Sequence, residues 1–223
     1  IRKPNKDEDL MILKKAEHIA RWSSSPEWEG SEEVAETLRD FNILPAIGHS
    51  DAIYEEVIKA YDWGYTHVTH LYSCTSGVTR RNALRYAGII EASYLIPDMT
   101  VEIIADGIHL PASLLKLVYQ IKGAEKTALI TDSMRAAGMP DGLSTLGSLK
   151  NGQPVIVEDG VAKLPDRSVF AGSVATANHL VRIMNTLGEV PLLDTIRMIT
   201  STPAKIMGID KIKGSLTKGK DAD

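Results

Sequence analysis

Cysteine is almost missing from this sequence: the 223 residues contain one, Cys74. A lone cysteine excludes an intrachain disulfide, and a reducing compartment is the default expectation. No run of 18 apolar residues is present, and no signal peptide is recognisable. The chain is therefore expected to be soluble and cytoplasmic, with no membrane partner. Strong net charge is lacking too. A formal charge of −4 gives no electrostatic reason to expect nucleic acid as a partner. There is no internal repeat and no low-complexity stretch. An initiating methionine is also absent: the sequence runs from Ile1 to Lys220-Asp221-Ala222-Asp223, and both ends read as cuts. What remains is 43% apolar and 24% charged, an ordinary globular composition long enough for one large domain or two small ones.

The order of apolar and polar segments is more informative. Residues 1–15 are charged and irregular, and read as a loop or short helix. From His18 a regular alternation begins. A strand around 18–25 is followed by a helix opened by Ser31-Glu32-Glu33, where the serine can cap and the glutamates suit the positive helix end. A strand at 43–47 ends in Gly48-His49-Ser50, and a helix at about 51–62 is stopped by Gly64. A third strand spans 65–71 and a third helix 82–94. A fourth strand at 101–104 leads to Ala105-Asp106-Gly107-Ile108-His109, and the next helix, opened by Pro111, closes at Gly123. A fifth strand, 127–130, delivers Thr131-Asp132. Strands alternating with helices predict a parallel sheet. Beyond Asp132 the pattern changes to a hairpin around Asp159-Gly160, then helices at about 174–187 and 192–207.

Glu27, His49, His70, His109 and Asp132 each fall at the C-terminal end of an expected strand, the edge where parallel α/β folds build active sites. His49 and His70 lie 21 residues apart on neighbouring strands. That spacing excludes a local finger but brings two imidazoles together at a barrel rim. With Glu27 as third ligand they make a divalent-metal set that leaves one position open for water. Asp132 is placed to take that water's proton and deliver it to a leaving nitrogen. His109 is placed to polarise a carbonyl or hold a hydroxyl. A single strand-end histidine is ordinarily structural, so the weight rests on several being in phase. His67 reads as packing, deeper on the strand of His70, and His18 and His179 as non-catalytic. Cys74 reads as a small loop residue with no base to activate it. Arg80 and Arg81 are either a solvated pair or an anion clamp.

The series Pro26-Glu27, Gly48-His49-Ser50-Asp51-Ala52, Thr69-His70-Leu71-Tyr72, Ala105-Asp106-Gly107-Ile108-His109, Leu129-Ile130-Thr131-Asp132-Ser133-Met134, Ala171-Gly172-Ser173 and Ser201-Thr202-Pro203-Ala204-Lys205 runs from about residue 19 to the end. In this order it resembles the N-acetylglucosamine-6-phosphate deacetylases, within the amidohydrolase superfamily of metal-dependent (β/α)8 barrels. The resemblance implies an α/β fold, the C-terminal part of a TIM-type barrel with its small β-sandwich domain largely missing. Residues 1–18 would be a lead-in loop, 19–210 the partial barrel, and 211–223 the return to the sandwich. It implies metal on Glu27, His49 and His70, with Zn first and Fe, Mn or Co as alternatives. Asp132 becomes the catalytic base and acid, and His109 a substrate contact.

Phosphate would be held by the amides of Ser73 and Cys74 and by Arg81 (or Arg80), and the sugar pocket lined by Ala171, Gly172 and Ser173. Ser73-Cys74-Thr75 stand where that family has Asn-Ala-Met, which keeps the amides and loses an asparagine side chain. The family's His-x-His pair has no counterpart here, so one metal or two both stay open. The implied partner is an amino-sugar phosphate, and the implied assembly of the full-length protein a homodimer. A deacetylase of N-acetylgalactosamine 6-phosphate, a cyclic-amide hydrolase and a non-catalytic sugar-phosphate binder remain as alternatives.

Overall fold

A computed structural model describes residues 3–16 and 18–221. The expected lead-in and return segments therefore lie partly outside the described residues, at Ile1, Arg2, Glu17, Ala222 and Asp223. In chain order the elements are α1 (Lys6–Lys15), β1 (Arg21–Ser24), α2 (Ser31–Asp40), β2 (Leu44–Ile47), α3 (Tyr54–Trp63), β3 (His67–Val68), β4 (Thr79–Arg81), β5 (Leu84–Tyr86), α4 (Ile89–Leu95), β6 (Thr100–Ile104) and α5 (Ala112–Lys126). Then follow β7 (Thr127–Ile130), β8 (Gly142–Leu146), β9 (Gln153–Glu158), β10 (Val161–Lys163), β11 (Phe170–Ser173), α6 (Ala177–Thr186), α7 (Leu192–Ile199) and α8 (Ser201–Ile206). No helix among the described residues is long and apolar enough to cross a membrane.

The main sheet has five parallel strands in the order β1-β2-β3-β6-β7, with helices in the connections. These are the five strands read from the sequence. Ile47, Val57, Tyr65, Val68, Ile103, Leu115, Leu180 and Met184 are fully buried in one cluster between this sheet and its helices. Each such side chain contributes roughly 1.5–3 kcal/mol of transfer free energy. Gly123 leaves helical geometry within α5 (φ 69°, ψ 178°), so the helix breaks at the glycine read as its end.

Four expectations are corrected. The helix expected at 82–94 is a hairpin, β4 paired with β5, followed by the shorter α4. Asn82 and Ala83 both take positive φ (49° and 66°), the two-residue turn that matches strand twist. An alanine there costs roughly 1–2 kcal/mol, which is why the pair does not advertise a turn. Ser31 does not cap α2. Gly30 is the cap residue, and the buried Ser31 hydroxyl donates to the Ser25 carbonyl at 3.0 Å. The strand expected at 65–71 shrinks to His67–Val68. The hairpin around Asp159-Gly160 is present, but within a four-stranded antiparallel sheet, β11-β10-β9-β8.

Strand alternation turns one polar side chain from β6 away from the apolar cluster. Glu102 is buried and meets Arg21 of β1 and His67 of β3. Arg21 pairs with its Oε2, which lies 3.2 Å from His67 Nε2, while His67 Nδ1 is 2.8 Å from Thr100 Oγ1. His67 is thus the hydrogen-bonded interior histidine its position suggested. Burial by itself would raise the Glu102 carboxyl, but His67 and Arg21 outweigh it and hold it below 4.5. A carboxylate depressed in the folded state stabilises above its unfolded pKa, and that contribution is lost as pH falls through the folded value. In the full-length protein, Glu102→Gln is expected to lower stability by about 3 kcal/mol at neutral pH. The difference from wild type should shrink below about pH 4. Thermal melts across pH check this; a gap that persists undiminished into acid would refute it.

Candidate metal and acid–base site

His49 follows β2, His70 follows β3 and Asp132 follows β7, and all three take positive φ (52°, 32° and 47°). Few non-glycine residues occupy that region, and those that do gather at functional sites. Together with Arg21, Ser23, Thr69 and Glu102, these three residues line one cavity of about 510 Å³.

His49 Nε2 and His70 Nε2 face each other at 3.0 Å, with ring planes 83° apart. Two nitrogens bound to one tetrahedral ion at about 2.0–2.1 Å each would lie roughly 3.3 Å apart, so the pair has the spacing of half a divalent site. Burial and the nearby His70 push the His49 imidazole below its usual pKa, toward the neutral form a ligand needs. His70 is buried, and its Nδ1 has no hydrogen-bond partner.

Glu27, the expected third ligand, is tied to the loop that carries His49. Its two carboxylate oxygens accept hydrogen bonds from Ser50 Oγ (2.6 Å) and Asp51 N (2.8 Å), while Ser25 Oγ donates to the His49 carbonyl at 2.9 Å. The segment after β1 therefore pins the loop that carries His49. A strand-end carboxylate looks the same in sequence whether it holds an ion or a loop. Among the described residues no group of three or more His, Cys, Asp or Glu side chains is placed to hold an ion.

The loops after His49 and His70 are joined. Ser50 N donates to the Cys74 carbonyl (3.0 Å), Ser76 N donates to the Ser50 carbonyl (3.2 Å), and Ser50 bridges Thr75 in parallel. Ser73 is half-buried, with its amide given to the His70 carbonyl at 2.8 Å. Cys74 is exposed. Arg81 lies on the exposed β4, its guanidinium 5.7 Å from the Tyr86 ring centroid. Gly88 closes this excursion: a Cβ there would sit 2.5 Å from the Ser76 carbonyl oxygen, so only glycine permits the approach.

His109 gains a partner that the sequence reading missed. Asp106 Oδ2 lies 2.6 Å from His109 Nδ1, and its Oδ1 accepts from the amides of Ile108 (2.9 Å) and His109 (2.8 Å). Burial would raise the Asp106 carboxyl, but these hydrogen bonds hold it low. The carboxylate keeps the ring proton on Nδ1 and leaves Nε2 for a ligand. The Asp-x-x-His spacing on a glycine turn was the available signal. The Phe170 ring packs against this imidazole, centroids 4.9 Å apart.

Ala171, Gly172 and Ser173 end β11 and reach the Asp132 segment. Ser173 N donates to the Asp132 carbonyl (3.1 Å), and Met134 N donates to the Ser173 carbonyl (2.9 Å). The antiparallel sheet is thereby stitched to the rim beside Asp132.

Parallel strands with histidines and an aspartate at their C-terminal ends define a segment of an α/β-barrel hydrolase-type fold. The amidohydrolase family model matches residues 8–223, and the chain belongs to that family. It is 36% identical over 199 residues to the N-acetylglucosamine-6-phosphate deacetylase of Bacillus subtilis, covering 89% of this chain and 48% of that protein. It is 33% identical over 198 residues to an N-acetylgalactosamine-6-phosphate deacetylase of Escherichia coli O157:H7, covering 89% and 50%. A solved mutant of the Mycobacterium smegmatis N-acetyl-D-glucosamine-6-phosphate deacetylase, in complex with N-acetyl-D-glucosamine-6-phosphate, superposes with a TM-score of 0.90 at 29% identity, over 100% of this chain and 57% of that one. The chain thus spans about half the length of the curated relatives it matches. Its mixed α/β fold is the C-terminal part of a TIM-type domain, as the resemblance implied.

Proposed function

We propose that the full-length protein hydrolyses the acetamide of N-acetylglucosamine 6-phosphate, giving acetate and glucosamine 6-phosphate. The observation that carries this reading is the convergence of His49, His70 and Asp132, all in left-handed backbone, on one cavity at the strand ends. The deacetylases among the relatives supply the substrate class.

A divalent metal at His49 and His70 (Zn²⁺ first, with Fe, Mn or Co as alternatives) would polarise the acetamide carbonyl and bring a water's pKa to about 7. Glu27, held beside the His49 loop through Ser50 and Asp51, would be its third protein ligand. Asp132 accepts the proton of the attacking water and returns it to the departing nitrogen. His109, its Nδ1 proton directed to Asp106, offers Nε2 to a substrate oxygen. The Cys74 amide and Arg81 hold the phosphate, with the Ser73 amide joining them once it leaves the His70 carbonyl, and Ala171, Gly172 and Ser173 line the sugar. A homodimer is the expected assembly.

The E. coli relative favours one second reading, the galactosamine epimer as substrate. Acetate release by the full-length protein from each sugar phosphate, with and without Zn²⁺ and after chelation, tests both. Metal-dependent release from the gluco epimer is expected at the higher kcat/KM. Bound metal without release from either would move the substrate elsewhere, with Ser73-Cys74-Thr75 the first place to look.

A further inference from the structure

Three alternate residues of the segment after β3 take left-handed backbone: His70 (φ 32°), Tyr72 (φ 77°) and Cys74 (φ 49°). None is glycine, and other side chains persist there only where surrounding contacts over-determine them. The two outer residues have such contacts. Leu71 N donates to the Glu102 carbonyl at 2.8 Å, which ties the His70 end to β6, and the Cys74 carbonyl accepts from Ser50 N at 3.0 Å. Tyr72 stands between them. Its amide donates to Thr75 Oγ1 at 2.9 Å, a contact within the same loop. Its phenol reaches outside that loop, with Tyr72 Oη 2.7 Å from Tyr94 Oη on α4.

The far end of this contact is fixed. Lys122 of α5 donates to the carbonyls of Ser93 and Ile96, each at 2.9 Å, on either side of Tyr94. At the start of α4, Ile90 N donates to the Ser76 carbonyl at 3.0 Å. Both phenol rings are partly buried against the main apolar cluster. Burial, with the Tyr72 phenol beside it, pushes the Tyr94 hydroxyl above its usual pKa, so Tyr94 keeps its proton at neutral pH. The two phenols thus form a strut from a pinned helix to the middle of a strained loop.

We infer that Tyr94 is a positioning residue: its hydroxyl holds Tyr72, and through Tyr72 it fixes the Ser73–Cys74 backbone beside the substrate. Tyr94 acts only through Tyr72. The His70 end has its own tie to β6, so losing the strut displaces the substrate-facing half of the loop and leaves the metal-facing half in place. The effect on catalysis rests on the proposed function, whereas the strut itself does not.

The test uses the full-length protein as wild type, Tyr72→Phe, Tyr94→Phe and the double variant. Tyr119→Phe is the control, because that phenol on α5 donates to Asp194 of α7 at 2.7 Å. Each change deletes one hydroxyl and keeps the ring. KM for N-acetylglucosamine 6-phosphate is expected to rise about fivefold in both single variants and no further in the double one, since all three lose the same hydrogen bond. Turnover and bound Zn²⁺ should change less than about twofold, the pattern of lost uniform binding. In the absence of substrate, hydrogen exchange at the Tyr72 and Ser73 amides should quicken equally in the three loop variants. Tyr119→Phe should match wild type in both measurements. An unchanged KM in Tyr94→Phe, additive effects of the two loop substitutions, or an equal rise in Tyr119→Phe overturns the proposal. If wild type does not deacetylate the sugar phosphate, the proposed function fails and amide exchange decides alone: equal quickening in the loop variants upholds the strut, and unchanged exchange removes it.

Discussion

Asp132→Asn in the full-length protein is expected to lower kcat for deacetylation by about 10³-fold, within the range for losing a general acid–base group. KM and bound metal should change little. The reason is positional. Asp132 is exposed at the cavity, its carboxylate makes none of the hydrogen bonds described above, and its backbone carbonyl is held by Ser173. Asparagine keeps the shape and the backbone contacts, and loses only the capacity to take and return a proton. Stopped assays with metal analysis on the same sample make the comparison. Activity within tenfold of wild type would remove Asp132 from the proton path and leave His109 as the remaining candidate.

The second large effect concerns the histidine pair. His70→Ala should weaken Zn²⁺ binding by more than ~10²-fold, beyond what is seen when a group that only orients a ligand is lost. His49 is the more exposed of the two, whereas the buried His70 brings its Nε2 to 3.0 Å from it. Removing the buried partner leaves a single exposed imidazole, which is a weak ligand by itself. Competition with a chromophoric chelator measures the affinity directly. Unchanged affinity would mean that the 3.0 Å approach is only a hydrogen bond between two rings, and the metal assignment would fall.

Much of the barrel segment was legible because its signals are local. Parallel strands buried on both faces read as apolar runs, and the polar residue closing each run stood out against them. His49, His70 and Asp132 stand out in this way, and the structure brings them to one cavity. Glu27 stands out by the same rule, whereas its contacts with the Ser50 hydroxyl and the Asp51 amide, 23 and 24 residues on, could not be read locally. The β4–β5 hairpin was hidden because Asn82-Ala83 lacks the glycine that usually marks such a turn. Strand β8 was missed because its first two residues, Gly142 and Leu143, are exposed and the rest only partly buried, so inside–outside alternation is weak. The buried trio Arg21, His67 and Glu102 could not be seen locally at all: its members lie 46 and 35 residues apart and meet only through strand order.

The stitching of Ser173 to Asp132 and Met134 makes the small antiparallel sheet mechanically continuous with the rim. Its last strand shares two backbone hydrogen bonds with the segment that carries the aspartate, so a displacement of one is expected to pass to the other. A change that shears it, such as a trimmed Asp159-Gly160 tip, is expected to re-aim the carboxylate. The signature would be a turnover number that drifts while affinity for the sugar phosphate holds steady.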